Sequence, residues 1–305
     1  MERSRGWPLL LVYLILKRYK FMHKLGDKIG IVCCSNGQKQ AYVDKIKLLE
    51  NTLVEIGLQP VFSDCIYERE NVFCGTAMER ANALMRFYSD DDIKAIFDIS
   101  GGDVANGILP YLDYKVILDS SKLYWGYSDL TTVINAIYAK TEKPSVLYQI
   151  RNLIYDCKDK QIADFTDSIL ESRNSLFDCD FEFIQGNEMS GVVVGGNIRC
   201  FLKLVGTEYM PELDGKILFL ESLNGDVAKI ETYLCQLQQI GAFEKVTGII
   251  LGTFTEMERE QYRPSVEMLI KEKVRDDLPI AVTKDVGHGT NSKAIVIGRE
   301  MNIKK

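Results

Sequence analysis

Three residues, Ser128, Glu221 and His288, have side chains of the types that together perform nucleophilic catalysis. Each follows or ends a short apolar run of the kind that forms a buried strand, and functional side chains in α/β proteins lie at such strand ends. In a serine hydrolase triad, the histidine removes the hydroxyl proton and the carboxylate holds the imidazole in the required tautomer. The chain contains only two histidines, His23 and His288, so imidazole chemistry has two candidates.

The stretch 122–132 has the layout of a nucleophile elbow. Leu123–Trp125 predicts a buried strand, Gly126 permits a tight turn, and a helix is expected to begin at Asp129. In such an elbow the backbone N–H of Asp129 would face the oxyanion formed when Ser128 attacks. The second glycine of the usual Gly-x-Ser-x-Gly motif is absent, so a serine that caps an ordinary helix is the alternative.

The surroundings of Glu221 and His288 suit a catalytic pair. Glu221 follows the mostly apolar run 216–220, and burying a carboxylate without a partner costs several kcal/mol, which a histidine partner would offset. His288 lies between Gly287 and Gly289, where the backbone can bend and a ligand can approach closely. The alternatives are a glutamate that caps the next segment or pairs with a lysine, and a histidine in a surface turn.

Composition excludes several classes of protein. The net charge of −6 and the absence of a long basic run argue against a nucleic-acid partner. Two histidines exclude a zinc site built on several of them. The eight cysteines include no Cys-x-x-Cys pair and mostly lie in apolar surroundings, which predicts reduced core residues of a cytosolic protein.

The order of predicted elements indicates two units. Alternating strands and helices over 22–150 predict a parallel sheet covered on both faces, with Ser35, Gly101, Gly102 and Ser128 at its functional edge. The turn 33–37 lacks both Gly-x-Gly-x-x-Gly and Gly-Lys-Ser/Thr, which argues against a nucleotide cofactor and hence against an oxidoreductase.

The remaining segments are predicted as follows. Residues 151–188 are predicted to be a linker with a helix near 160–172, and 189–305 to form a smaller β-rich domain. Residues 1–21 carry basic flanks around ten apolar residues, too few for the about 20 that a membrane helix needs. We therefore interpret 1–21 as an extension or an upstream start before Met22, with a membrane or export role as the alternative.

A series of motifs along the chain resembles the serine peptidases of the LD-carboxypeptidase family, which include muramoyltetrapeptide carboxypeptidases and microcin C immunity hydrolases. The resemblance covers most of the chain, from Gly26 to Gly298. The motifs are Ser100-Gly101-Gly102, Leu109-Pro110-Tyr111-Leu112-Asp113, Gly126-Tyr127-Ser128-Asp129-Leu130-Thr131, Gly195-Gly196-Asn197, Gly206-Thr207, Ile217-Leu218-Phe219-Leu220-Glu221 and Gly287-His288-Gly289.

The resemblance implies a fold and a set of roles. It implies a Rossmann-like N-terminal domain and a small β-rich C-terminal domain, commonly assembled as a homodimer without metal or organic cofactor. Ser128 would be the nucleophile, His288 its base and Glu221 the carboxylate. The backbone amides of Gly102 and Asp129 would form the oxyanion hole.

Two departures from the family pattern concern specificity. Many relatives carry His-Gly-Pro after the elbow helix, where this chain has residues 142–147 without histidine or glycine. Many also place a tryptophan before the Gly-Gly-Asn turn, where this chain has Phe177, Phe181 and Phe183. The family's substrate contacts lie in that region, so the resemblance predicts the catalytic chemistry of this chain better than its substrate specificity.

The resulting expectation is a cytosolic serine hydrolase that cleaves an amide bond near a free carboxylate. The leading substrate is murein tetrapeptide, cut at the L,D bond to its terminal D-alanine. The alternative within this class is the acyl-amide of a peptidyl nucleotide, as in microcin immunity. The alternative from another class is a catalytically silent protein that binds a small peptide.

Overall fold

The computed structural model describes residues 23–305, and the predicted extension 1–21 lies outside the described residues. The strands are β1 Lys28–Val32, β2 Gln59–Phe62, β3 Ile93–Asp98, β4 Tyr124–Gly126, β5 Ser145–Leu147, β6 Glu182–Gln185, β7 Glu188–Asn197, β8 Lys216–Ser222, β9 Gly248–Phe254, β10 Ile280–Val282, β11 Ile295–Ile297 and β12 Glu300–Lys304. The α-helices are α1 Val43–Ile56, α2 Ala77–Ser89, α3 Tyr114–Asp119, α4 Thr131–Thr141, α5 Lys158–Leu170, α6 Ile198–Leu202, α7 Val227–Gln239, α8 Ala242–Lys245, α9 Thr255–Arg259 and α10 Val266–Lys271. Short 3₁₀ helices cover Gln40–Tyr42, Ala105–Tyr111, Ser128–Leu130 and Ile150–Ile154.

The first sheet is the predicted parallel sheet. Its strand order is β11-β5-β4-β3-β1-β2, and every pairing is parallel except that of β11 with β5. Nearly every residue of β1 and β3 is buried, because helices or the second sheet cover both faces. The predicted Rossmann-like class is confirmed, and the functional edge of this sheet carries Ser128.

The second sheet also has six strands, in the order β12-β7-β8-β9-β10-β6. Its centre, from β7 to β10, is parallel, whereas the edge strands β12 and β6 are antiparallel to their neighbours. Five helices, α6 to α10, lie between its strands in the sequence, more helix than the sequence pattern indicates. The reason is that α6, α8 and α9 have only five, four and five residues, too few to show clear periodicity.

Two segments do not stay in the unit that their place in the sequence suggests. The segment 151–188 contains helix α5 close to its predicted position and also strand β6, which completes the second sheet. Strand β11, Ile295–Ile297, belongs to the C-terminal part of the chain but pairs with β5 of the first sheet. The chain therefore returns to the nucleophile's sheet directly after His288.

One hydrophobic cluster joins the two sheets. It includes Val32 and Ile96 of the first sheet together with Leu218 and Ile249 of the second, all fully buried. A second cluster packs α1 and α5 against the other face of the first sheet. The continuous core holds the strand ends that carry Ser128 and Glu221 at one interface. Within residues 23–305, no helix combines the length and apolar character needed to cross a bilayer.

Candidate active site

Ser128 lies at the sharp turn between β4 and α4. Its φ angle is +56°, a left-handed conformation that side-chain-bearing residues adopt rarely and that marks functional sites. The turn is tight because a Cβ at Gly126 would lie 2.7 Å from the Cβ of Leu130. Gly126 therefore supplies the space, and Leu130 occupies the position of the second glycine in the usual elbow motif.

His288 contacts both of the other predicted residues. Its Nε2 lies 3.2 Å from Oγ of Ser128, and its Nδ1 lies 2.6 Å from Oε2 of Glu221. An ionised carboxylate only accepts hydrogen bonds, so Nδ1 carries the proton and Nε2 is free to accept one from the serine hydroxyl. The structure thus brings the three side chains into one connected chain of contacts.

Two donors besides His288 hold the carboxylate of Glu221, which is fully buried at the end of β8. The Asn197 side chain donates to Oε1 at 3.0 Å, and the Tyr127 hydroxyl donates to Oε2 at 3.1 Å. Burial and the neighbouring Glu221 charge raise the pKa of Tyr127 well above its ordinary value, so its hydroxyl stays protonated and donates. These contacts compensate the buried charge.

Asn197 and Tyr127 were not predicted as site residues. Asn197 lies opposite Glu221 in the parallel register of β7 and β8, and Tyr127 directly precedes the nucleophile. The signal for Asn197 was the Gly195-Gly196-Asn197 turn, whose polar member ends a buried strand. That it faces Glu221 depends on strand register, which a motif does not reveal.

Gly102, a predicted oxyanion-hole residue, lies in the wall of the same cleft as Ser128 and His288. Its φ is +118°, and a Cβ there would lie 2.2 Å from the Asn36 side chain. Only glycine fits this position without displacing its neighbours. The turn is further held by Asn36, which accepts a hydrogen bond from the backbone N–H of Asp103 at 3.1 Å.

Asp129, the other predicted oxyanion-hole residue, has a fully buried side chain that anchors the elbow. Its carboxylate accepts hydrogen bonds from the Ser35 hydroxyl at 2.7 Å and the Ala105 backbone N–H at 2.8 Å. It also forms an ion pair with Lys203. Only the backbone N–H of Asp129 is left for the predicted oxyanion role, which stays a prediction.

Two cations, one in helix α6 and one directly after it, hold the elbow and the Gly102 turn in place. Lys203 donates to the Asp129 carboxylate and, at 2.9 Å, to the Asp103 carbonyl. Arg199 donates to the Gly102 carbonyl at 3.0 Å and pairs with the Asp103 carboxylate. The second sheet therefore supports both halves of the candidate oxyanion hole through charged contacts that the sequence analysis did not identify.

Replacing Lys203 with methionine is expected to destabilise the protein by about 3–5 kcal/mol, because the buried carboxylate of Asp129 loses its cation. The measurement is the free energy of unfolding from urea titration. The matched control is Lys115→Met, which removes an exposed pair with Asp119 and should leave stability unchanged. If the two variants have the same free energy of unfolding, the ion pair between Lys203 and Asp129 does not stabilise the elbow.

The cleft in front of Ser128 has a volume of about 390 Å³. Besides Ser128, His288 and Gly102, its wall includes groups that the sequence analysis did not single out: Asn36, Gln38, Lys39, Tyr42, Gln149, Arg151 and Tyr155. The phenylalanines considered in place of the family tryptophan do not line it. Phe177 instead packs against Trp125, with ring centroids 6.0 Å apart.

Comparison with known proteins assigns the chain to a protein family. Residues 29–148 match the LD-carboxypeptidase N-terminal domain, and residues 190–303 match the LD-carboxypeptidase C-terminal domain. The chain belongs to the LD-carboxypeptidase family. It is therefore a serine-type carboxypeptidase, a hydrolase, and the predicted resemblance is confirmed.

Individual relatives of this LD-carboxypeptidase fall into two kinds. It is 26% identical to the "probable murein peptide carboxypeptidase" of Bacillus subtilis over 90% of its own length and 87% of the relative's. It is 32% identical to the microcin C7 self-immunity protein MccF of Escherichia coli over 58% of its own length and 61% of MccF. A solved structure of MccF in complex with glutamyl sulfamoyl guanosine has the same fold, with a TM-score of 0.81, 23% identity and coverage of 93% and 94% of the two chains.

Proposed function

We propose that Ser128, His288 and Glu221 form a catalytic triad that hydrolyses an amide bond beside a free carboxylate. The observation that carries the proposal is the unbroken chain of contacts, 3.2 Å from Ser128 to His288 and 2.6 Å from His288 to Glu221. The strained φ of Ser128 and the cleft before it support the same role.

The proposed reaction proceeds through an acyl-enzyme. His288 Nε2 takes the proton as Ser128 Oγ attacks the carbonyl carbon, and the oxyanion meets the backbone amides of Gly102 and Asp129. The imidazolium, stabilised by Glu221, then gives its proton to the leaving amine. Water, deprotonated by the same imidazole, releases the acyl group and restores the serine.

The proposed substrate is the tetrapeptide of murein, cleaved at the L,D bond to its terminal D-alanine. The murein peptide carboxypeptidase of Bacillus subtilis supports this choice, because it is similar over most of both chains. In this proposal the protein acts in murein recycling as a cytosolic homodimer, a state that the family resemblance implies. The free state of all eight cysteines supports a reducing compartment.

A second candidate is hydrolysis of a peptidyl-nucleotide amide. The similarity to MccF favours it, as do Tyr42 and Tyr155 in the cleft wall, since tyrosine rings are suitable surfaces for a base. The tryptophan expected for a base clamp is absent from this region, and Phe177 packs against Trp125 outside the cleft wall. We therefore propose the peptidyl nucleotide only as the second candidate substrate.

The test is incubation with murein tetrapeptide and, separately, with a peptidyl-adenylate analogue, with product masses recorded for each. We expect loss of D-alanine from the tetrapeptide and slower release from the nucleotide. Ser128→Ala serves as the control for contaminating hydrolases. Faster cleavage of the nucleotide would favour the second candidate.

A catalytically silent peptide-binding protein makes a different prediction, which a fluorophosphonate probe tests. The triad is expected to give covalent labelling that disappears in Ser128→Ala. If the protein is not labelled and Ser128→Ala binds the tetrapeptide unchanged, the silent binder is correct and the enzymatic proposal fails.

A further inference from the structure

We propose that Arg151 is the group that binds the substrate's free carboxylate and so makes the enzyme select chain ends. Arg151 lies in the wall of the cleft that contains Ser128 and His288. The proposal rests on the proposed function, since it names the specificity determinant of the same site. It assigns a role to a residue that no motif identified.

Neutral groups hold the guanidinium of Arg151 in place. Gln149 caps the 3₁₀ helix Ile150–Ile154, and its Oε1 accepts from both the backbone N–H and the Nε of Arg151, each at 3.3 Å. Gln38 Oε1 accepts from Nη1 at 3.2 Å. Gln38 is itself nearly fully buried and donates to the Ile99 carbonyl at 2.9 Å. A side chain held in this way loses little entropy when it binds a ligand.

The charge on this guanidinium is not neutralised by the protein. Both of its side-chain partners are uncharged amides, and within residues 23–305 no carboxylate oxygen lies within 4.0 Å of it. Its Nη2 has no hydrogen-bond partner in the same part of the chain. Nη2 is therefore available to a ligand, and a guanidinium is a preferred protein partner of a carboxylate.

Besides His288 and Arg151, the acidic and basic side chains that line the cleft are Lys39 and Glu68. Lys39 is exposed, and within residues 23–305 its ammonium group makes no hydrogen bond or ion pair. Arg151 is half-buried and has a fixed orientation. A carboxylate in the cleft is therefore expected to bind the held guanidinium in preference to the flexible lysine.

The position in the chain agrees with a role in specificity. Arg151 follows strand β5 and the segment 142–147, where this chain departs from the family pattern. Because Arg151 and Ser128 line the same cleft, we expect a carboxylate bound by Arg151 to hold the end of a substrate close to Ser128. Binding of this kind would restrict cleavage to the last peptide bond of a substrate and leave internal peptide bonds intact.

The test compares tetrapeptide ending in a free carboxylate with the same peptide ending in a carboxamide, for wild type and Arg151→Met. Wild type is expected to favour the free acid in kcat/KM by about 10- to 100-fold, the scale of a charged hydrogen bond. In Arg151→Met that preference should fall to about one, through loss of activity on the acid alone. Arg151→Lys should keep part of it.

Matched variants distinguish carboxylate binding by Arg151 from binding by another cation and from a purely structural role of Arg151. Arg86→Met removes an exposed arginine that pairs with Asp64 outside the cleft, and it should keep the full preference. Loss of the preference in Lys39→Met instead of Arg151→Met would overturn the proposal, as would a wild type that does not discriminate. An equal fall on both substrates in Arg151→Met would show a structural role and would also overturn it.

A second measurement separates this proposal from the choice of substrate. The rate of Ser128 labelling by a fluorophosphonate is measured with N-acetyl-D-alanine or its carboxamide as competitor. Protection by the acid alone, lost in Arg151→Met, supports the carboxylate site even if murein tetrapeptide is not cleaved. Equal protection by both competitors rejects it, whereas absence of labelling rejects the triad.

Discussion

Ser128→Ala is expected to lower kcat by roughly 10⁶-fold, and His288→Ala by a similar factor, because each removes a member of a unit that works only when complete. The double variant should be no worse than either single one. The physical reason is that, in the proposed triad, His288 activates the Ser128 hydroxyl through their 3.2 Å contact, and neither partner acts alone. The measurement is single-turnover release of D-alanine from the tetrapeptide.

Folding must be unchanged for this result to report on chemistry. Ser128 occupies a strained left-handed position, and alanine there meets the same backbone restriction as serine. The thermal midpoint of Ser128→Ala should therefore stay close to that of wild type. A variant with either substitution that turns over at the wild-type rate would exclude the triad.

The second large effect is expected for Glu221→Gln, which should lower kcat by roughly 10³- to 10⁴-fold while leaving the protein folded. The carboxylate accepts from Nδ1 of His288 at 2.6 Å and so keeps Nε2 facing the serine without a proton. Glutamine has the same shape, but it cannot stabilise the imidazolium by charge. The measurement is kcat with saturating tetrapeptide across pH.

Tyr127→Phe is the matched control for this variant. It removes one of the three donors to Glu221, a neutral one at 3.1 Å, and keeps the carboxylate and the His288 contact. The expected loss in kcat is about tenfold, the scale of one hydrogen bond. If Glu221→Gln costs no more than Tyr127→Phe, the carboxylate only fixes local packing and is not part of the triad.

The elbow was predictable because its information is local. Gly126, Ser128 and Asp129 are consecutive in one strand-turn-helix unit, and such units follow from neighbouring residues alone. The α/β class was predictable for the same reason, since alternating buried strands and amphipathic helices leave a periodic pattern. The match to the elbow motif was nevertheless incomplete, because Leu130 occupies the position where the usual motif has a second glycine.

The supports of the site were not predictable in this way. Asn197 faces Glu221 only through the register of β7 and β8, and Lys203 reaches Asp129 only because the two sheets pack together. The sequence around a lysine or an asparagine does not show whether its side chain faces solvent or contacts a buried carboxylate. The position of the Arg151 side chain was equally unpredictable from the sequence. One of its neutral partners, Gln38, is distant in the chain, and the other, Gln149, caps a short 3₁₀ helix.

The residue types limit the chemistry that this protein can perform: one elbow serine, one buried glutamate and one histidine between glycines, each at the end of a strand or close to one. That these three side chains meet depends on long-range packing, because strand β11 returns to the first sheet soon after His288 and a shared core joins the two sheets. The reason is physical. Residue types set what a side chain can donate, accept or carry as charge, whereas long-range packing sets which side chains face one another and how far they are from water.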